Sequence, residues 1–88
     1  MKVVFLEKFI KDLDKITDRK ARQSIKKAIL KVENAPSMKK ITGLKRLKGV
    51  KGAYRLRIGD YRIGFYYENK IIEMARVAHR KEIYDLFP

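Results

Sequence analysis

The stretch that decides the fold is residues 53–68, AYRLRIGDYRIGFYYE. On both sides of Gly59-Asp60 the side chains alternate between apolar and basic or small, which is the period of two expected of half-buried β-strands. A glycine at the first central position suits a two-residue type II′ turn. The pattern therefore predicts an antiparallel hairpin with strands at residues 53–58 and 61–68.

A two-residue turn also fixes which side chains oppose one another across the hairpin. The expected pairs are Ile58 with Tyr61, Arg57 with Arg62, Leu56 with Ile63, Arg55 with Gly64 and Tyr54 with Phe65. One face then carries the apolar side chains and is predicted to face the core, namely Tyr54, Leu56, Ile58, Tyr61, Ile63, Phe65 and Tyr67. The other face, the arginine face, carries Arg55, Arg57, Arg62, Gly64 and Tyr66.

This second face has an unfavourable arrangement of charge. Directly opposed like charges destabilise a sheet by roughly some tenths of a kcal/mol. Arg57 and Arg62 are opposed, and the strand centres contain no carboxylate. Gly64, opposite Arg55, is expected to leave an open floor between them. Guanidinium groups around such a floor suit a phosphate, since each can donate paired, charge-assisted hydrogen bonds. A solvated basic face is the alternative.

Before the hairpin, the sequence predicts a strand at residues 3–6 and two helices. Helical spacing relates Phe9, Ile10, Leu13 and Ile16, and Thr17-Asp18 then ends the first helix and caps the second. The apolar stripe of the second helix is Ala21, Ile25, Ala28, Ile29 and Val32. The helix is expected to end at Asn34, Ala35 and Pro36. Its basic side, with Arg22, Lys26, Lys27 and Lys31, is either a solvated surface or a binding site.

After the hairpin come a turn at Asn69-Lys70, a third meander strand at residues 71–78 and one or two helical turns within residues 80–87. The order predicts one compact α+β domain over residues 1–88, with the helical hairpin packed on one sheet face. The register beyond Asn69-Lys70 leaves the orientation of Arg76 open.

The tail adds a second group of polar side chains. Arg80 and Tyr84 are four residues apart and would share one face of a helix. We expect the third strand to bring His79 and Arg80 to the arginine face. Histidine readily exchanges a proton near neutral pH, which makes His79 a candidate for catalysis, although a lone histidine is usually structural. Tyr84 is either a surface for base stacking or a core aromatic with a polar tip.

The net charge of +13 in 88 residues favours polyanionic partners. Residues 35–59 contain no acidic side chain, and we expect the run's other cations to contact RNA: Lys39, Lys40, Lys45, Arg46, Lys48 and Lys51. No cysteine is present, which excludes disulfides and thiolate metal sites. The apolar run in MKVVFLEKF is too short for a signal peptide or membrane span, so we expect a cytoplasmic protein.

Four segments together resemble the RelE-type ribosome-dependent mRNA interferases of the RelE/ParE toxin superfamily. They are Leu47-Lys48-Gly49, Tyr54-Arg55-Leu56-Arg57, Gly59-Asp60-Tyr61-Arg62, and His79-Arg80 with Tyr84. The resemblance covers essentially the whole chain. It implies a four-stranded antiparallel sheet, two N-terminal helices and a short C-terminal helix. It also implies a type II toxin–antitoxin toxin that cleaves mRNA in the ribosomal A site and is neutralised by an acidic, RelB-like antitoxin.

The resemblance further implies that Arg55, Arg57, Arg62, Arg80 and Tyr84 are the site residues. The family's best-known pattern has lysines at the first two positions and a longer interval before the tyrosine. Because arginine effectively cannot lose its proton, the general base must be another group, with His79 first and Tyr84 behind it.

The acidic residues Glu68, Glu73, Glu82 and Asp85 have no metal-ligand spacing, so we expect metal-independent attack by the RNA 2′-OH without a cofactor. Two alternatives remain. One is a ParE-like DNA gyrase inhibitor, and the other is a non-catalytic basic module that binds RNA or the ribosome.

Overall fold

The computed structural model describes residues 1–88 and has three helices, one short 3₁₀ turn and five strands. In chain order they are β1 (Lys2–Phe5), α1 (Glu7–Lys15), α2 (Arg19–Asn34), the 3₁₀ turn (Met38–Lys40), β2 (Leu44–Arg46), β3 (Ala53–Ile58), β4 (Tyr61–Glu68), β5 (Ile71–His79) and α3 (Ile83–Leu86). The predicted α+β fold is confirmed. No helix has the length and apolar character needed to cross a membrane.

The strands form one sheet in the order β1-β5-β4-β3-β2. The β3–β4 hairpin has the predicted register, with Arg57 opposite Arg62 and Arg55 opposite Gly64. Gly59 has a φ of +56° and Asp60 has no positive φ, which agrees with the predicted type II′ turn. Local turn chemistry therefore sets the position of every side chain on this hairpin.

The sheet differs from the expected four antiparallel strands in two respects. First, β2 pairs with β3 and adds an edge strand, with Lys45 opposite Arg55. This segment has only three residues and no apolar alternation. The pairing continues beyond it, since the Gly43 carbonyl accepts the Arg57 N–H at 3.0 Å. Second, β1 runs parallel to β5, and the intervening chain is long enough for the connection that a parallel pair needs.

The main core lies between the helical hairpin and the predicted apolar face of the sheet. Its buried side chains are Phe9, Ile16, Ile25, Val32, Leu56, Ile63, Phe65, Ile72, Met74 and Val77. The predicted N-cap of α2 is confirmed, since the Asp18 carboxylate accepts the N–H groups of Lys20 at 2.9 Å and Ala21 at 3.4 Å. The α1–α2 helical hairpin is thus held on the sheet by one apolar interface, and its turn is defined by the Asp18 cap.

A smaller apolar cluster covers part of the opposite face of the sheet. It consists of Ala53, Ala75, Ala78, Ile83 and Phe87, with Leu47, Tyr66 and Leu86 packed beside it. Through this cluster α3 lies across β3, β4 and β5 on the side where the sequence places the arginines. The sheet is therefore covered by helices on both faces, extensively on one and by a single helical turn on the other.

The orientation of Arg76 is set by a bulge in β5. Phe65 pairs with Met74 and Gly64 with Arg76, so Ala75 is the extra residue. The Arg76 guanidinium donates from Nε to Asp12 Oδ2 at 2.7 Å and from Nη2 to Oδ1 at 3.1 Å. This hydrogen-bonded partner raises the pKa of Arg76. Asp12 thereby joins α1 to β5 by a paired, half-buried contact.

Candidate functional site

The arginine face of the hairpin contains a shallow pocket of about 270 Å³. Its lining is Gly43, Lys45, Arg55, Arg57, Arg62 and Tyr84. The four cations come from three adjacent strands and are brought together by two cross-strand pairs, Lys45 with Arg55 and Arg57 with Arg62. No carboxylate lines the pocket, so its positive charge is not neutralised locally. Such a pocket favours an anion with several acceptor oxygens.

The Arg62 side chain is fixed in place by the hairpin turn. Its Nη1 donates to the carbonyl of Gly59 at 2.8 Å and to that of Tyr61 at 2.9 Å. The two carbonyls hold one end of the guanidinium, while Nε and Nη2 have no protein acceptor and are free to bind a ligand. A donor that is already oriented loses less entropy when it binds an anion than a freely rotating one.

Tyr84 enters the pocket from α3. The Arg55 Cζ atom lies 4.3 Å from the centroid of the Tyr84 ring, within the range of a cation–π contact. The tyrosine is 67% exposed and therefore is not a core aromatic. Of the two alternatives for Tyr84, the structure agrees with an accessible ring that a base could stack on.

The open floor expected at Gly64 is wrong. Gly64 is buried, and a Cβ atom placed there would lie 2.3 Å from the Cγ and Cδ2 atoms of Phe87. The space left by the missing side chain is filled by the phenylalanine ring. The pocket is consequently bounded by α3 and lies toward β2 and the Gly59 turn.

The expected approach of His79 to the arginines is also wrong. His79 pairs with Tyr61, whose side chain packs against the core, and the two rings meet edge to face at 5.7 Å. The cause is the bulge at Ala75, which shifts the alternation of β5 by one residue and turns His79 away from the arginine face. Its Nδ1 accepts the N–H of Lys81 at 3.2 Å.

Arg80 lies beside the hairpin turn and outside the pocket lining. Its backbone N–H donates to the Asp60 carbonyl at 2.7 Å, and its Nε is 4.0 Å from Asp60 Oδ1. The side chain is 56% exposed, so this ion pair is weak and the guanidinium remains accessible. Of the five residues implied by the family pattern, the structure brings four together and leaves Arg80 at the margin.

Comparison with known proteins identifies the family. A family model described as the ParE toxin of type II toxin–antitoxin systems, parDE, matches residues 3–84. The chain belongs to the RelE/ParE superfamily. Toxin RelE3 of Methanocaldococcus jannaschii is 40% identical over the full length of both chains. The protein is therefore a RelE-like toxin of a type II toxin–antitoxin system.

Solved structures agree with this assignment. A chain of the RelB–RelE antitoxin–toxin complex from Methanococcus jannaschii superposes with a TM-score of 0.81 at 38% identity, covering 97% of this toxin and 99% of that chain. YafQ from Escherichia coli superposes with a TM-score of 0.75 at 14% identity, covering 94% and 97% of the two chains. At that identity the second likeness supports the fold alone.

Most of the remaining cations of the acid-free run do not line the pocket. Lys39 and Lys40 lie in the 3₁₀ turn, Arg46 in β2, and Lys48 and Lys51 in the β2–β3 loop, all of them exposed. Lys45 is the exception, because its pairing with Arg55 brings it into the pocket. Sequence reasoning missed this role since β2 carries no strand signal of its own. It also missed Phe87, for which the glycine at position 64 was the available signal.

Proposed function

We propose that this toxin is a ribosome-dependent endoribonuclease that cleaves mRNA in the A site. The observation that carries the proposal is the pocket itself, with four cations, no carboxylate and an exposed tyrosine stacked on Arg55. Such a set provides both donors for a phosphate and an aromatic surface for a base. The full-length identity of 40% to a protein named Toxin RelE3 supports the same function.

The proposed chemistry is attack of a ribose 2′-OH on the adjacent phosphate. The new O2′–P bond forms as the P–O5′ bond breaks, which yields a 2′,3′-cyclic phosphate and a 5′-hydroxyl. Negative charge grows on the phosphoryl oxygens in the transition state, where Arg57 and Arg62 would stabilise it more than in the ground state. Arg55 would hold the Tyr84 ring and the neighbouring phosphate.

Proton transfer in this mechanism cannot involve the arginines, which stay protonated. His79 is directed to the other side of the sheet and is not part of the proposed mechanism. The pocket side chains that can exchange a proton are Lys45 and Tyr84, and solvent reaches both. Arg80 is proposed to contact the RNA backbone next to the pocket rather than the scissile phosphate.

The proposed partners are the ribosome with its mRNA and an acidic, RelB-like antitoxin. The net charge of +13 favours all three, since each is a polyanion or carries acidic side chains. The related chain from Methanococcus jannaschii, 38% identical, was solved in a RelB–RelE complex, which supports an antitoxin for this protein as well.

The decisive experiment adds the toxin to translating ribosomes and maps the mRNA 5′ ends. We expect cleavage within the A-site codon by the wild type and a loss of about 10²–10³-fold in single-turnover rate for Arg62→Ala, as for removal of one oriented transition-state donor. Lys51→Ala, an exposed loop cation, is the matched control and should keep its rate on saturated ribosomes. Unchanged cleavage by Arg62→Ala or a 5′-phosphate product would contradict the mechanism.

A second candidate is inhibition of DNA gyrase, which the family model's ParE description favours. A supercoiling assay run beside the ribosome assay separates the two. Inhibited supercoiling with intact mRNA would support the gyrase function. Ribosome binding without either effect would indicate a non-catalytic RNA-binding module.

A further inference from the structure

We propose that Gly64 and Phe87 form a positioning pair that holds Tyr84 over Arg55 and so sets the shape of the pocket. This inference deepens the proposed function and rests on it for the expected effect on turnover. The geometry of the pair can also be tested without any nuclease assay.

The first support comes from the way α3 is attached. It is a single turn of four residues, too short to be stable without tertiary contacts. Ile83 and Phe87 are buried at 0% and 3% exposure, whereas Tyr84 between them is 67% exposed. The N–H of Phe87 donates to the Ile83 carbonyl at 2.9 Å and closes the turn. The two buried side chains therefore determine where Tyr84 is presented.

The second support is the requirement for glycine at position 64. Glycine weakens a strand interior, so its presence in the centre of β4 needs a reason. Gly64 has no positive φ, and its backbone conformation would accept any residue. Space is the constraint, because a Cβ would meet Phe87 Cγ and Cδ2 at 2.3 Å and Cε2 at 2.8 Å. The glycine is needed to seat the ring.

The third support links this seat to the pocket. Gly64 is the direct cross-strand partner of Arg55. A ring seated on Gly64 is therefore next to Arg55, and Tyr84, three residues earlier on one helical turn, lies over the guanidinium at 4.3 Å. Tyr66 packs against Phe87 with ring centroids 5.0 Å apart and limits its movement. The seat of Phe87 thus fixes the position of Tyr84.

The test uses Phe87→Leu, Phe87→Ala, Gly64→Ala and the double variant Gly64→Ala/Phe87→Ala. The NMR shifts of the Arg55 side chain, read against a Tyr84→Leu reference in each background, report the ring current of Tyr84 separately from that of Phe87. Single-turnover cleavage on saturated ribosomes reports function. We expect Phe87→Ala and Gly64→Ala to lose the ring-current shift and up to about 10²-fold in rate, as for a displacement of order 1 Å, with ribosome affinity unchanged. Phe87→Leu should be intermediate.

The double variant should be no worse than Gly64→Ala alone, because both changes remove the same contact. Phe9→Leu is the matched control, since Phe9 is fully buried in the main core on the other sheet face. It should lower stability but leave the Arg55 shifts and the rate unchanged.

Retention of the ring-current shift in both Phe87→Ala and Gly64→Ala would overturn the positioning pair. An equal loss of rate in Phe9→Leu and Phe87→Leu would overturn it as well, because general destabilisation would then explain both. If the shifts change as expected but the wild type cuts no mRNA, the positioning pair stands and the proposed nuclease function fails.

Discussion

Tyr84 carries two separable chemical properties at one position of the pocket. Its ring packs on the Arg55 guanidinium, and its hydroxyl is a weak acid that can donate or accept a proton. The 67% exposure leaves ring surface for a nucleobase in addition to the arginine. Arg55 is half-buried by comparison, so the tyrosine covers part of its charge from solvent.

Substitution at Tyr84 separates the ring from the hydroxyl. We expect Tyr84→Ala to reduce single-turnover cleavage by about tenfold to 10²-fold, the loss typical of removing one base-stacking aromatic. Tyr84→Phe keeps the ring over Arg55 and should retain most of the rate. Cleavage assays on saturated ribosomes check both variants. A Tyr84→Phe variant as impaired as Tyr84→Ala would show instead that the hydroxyl transfers the proton.

At the scale of elements, one carboxylate makes the polar contacts between α1 and β5. Beyond Met74, β5 has no further partner from β1, and the Val77 N–H at this edge donates to Asp12 Oδ2 at 3.1 Å. The same carboxylate accepts two hydrogen bonds from Arg76. Asp12 thus satisfies both a strand edge and a half-buried guanidinium.

Loss of this carboxylate should therefore be costly. We expect Asp12→Ala to lower the free energy of unfolding by about 2–4 kcal/mol, because it leaves a charge and a backbone donor without partners. Glu7→Ala on the same helix is the control. It breaks the 3.2 Å pair with Lys11, which is largely exposed, and should cost less than about 1 kcal/mol. Urea denaturation measures both, and equal effects would contradict the account of Asp12.

The sequence predicts an element well when neighbouring residues determine its structure, and poorly when contacts with distant residues do. The β3–β4 hairpin follows from Gly59-Asp60 and strict alternation, and its register was predicted pair by pair. The face of His79 could not be predicted, because a bulge at Ala75 leaves no signature in the sequence and reverses every later side chain in β5. The β2 strand depends on a partner some ten residues away.

The site shows the same division. Its three arginines and Tyr84 were identified from the sequence, and the structure brings them together. The prediction of an open floor at Gly64 was wrong, because a missing side chain indicates space but does not indicate which residue fills that space. The occupant, Phe87, comes from a segment 23 positions later in the chain, beyond the reach of a local pattern.

At the scale of the whole molecule, the charge of +13 should control association with ribosomes. We expect the logarithm of the binding constant to fall linearly with the logarithm of salt concentration. Lys48 and Lys51 are both exposed. The double variant Lys48→Ala/Lys51→Ala should reduce that slope by about one unit for each of the two lysines that contacts phosphate. The cleavage rate of ribosome-bound toxin should not change. Binding titrations at several salt concentrations measure the slope. An unchanged slope would mean that these lysines belong to a solvated surface.

The parallel pairing of β1 with β5 affects how the nascent chain folds during synthesis. Lys2 is opposite Ile71, so β1 cannot pair until β5 has been synthesised and has left the ribosome. Pairings this distant in sequence form slowly, because the intervening loop has to close first. α3, which carries Tyr84, follows β5 in the chain and can dock only on a sheet that is already there. The pocket of the growing chain therefore stays incomplete until α3 has left the ribosome.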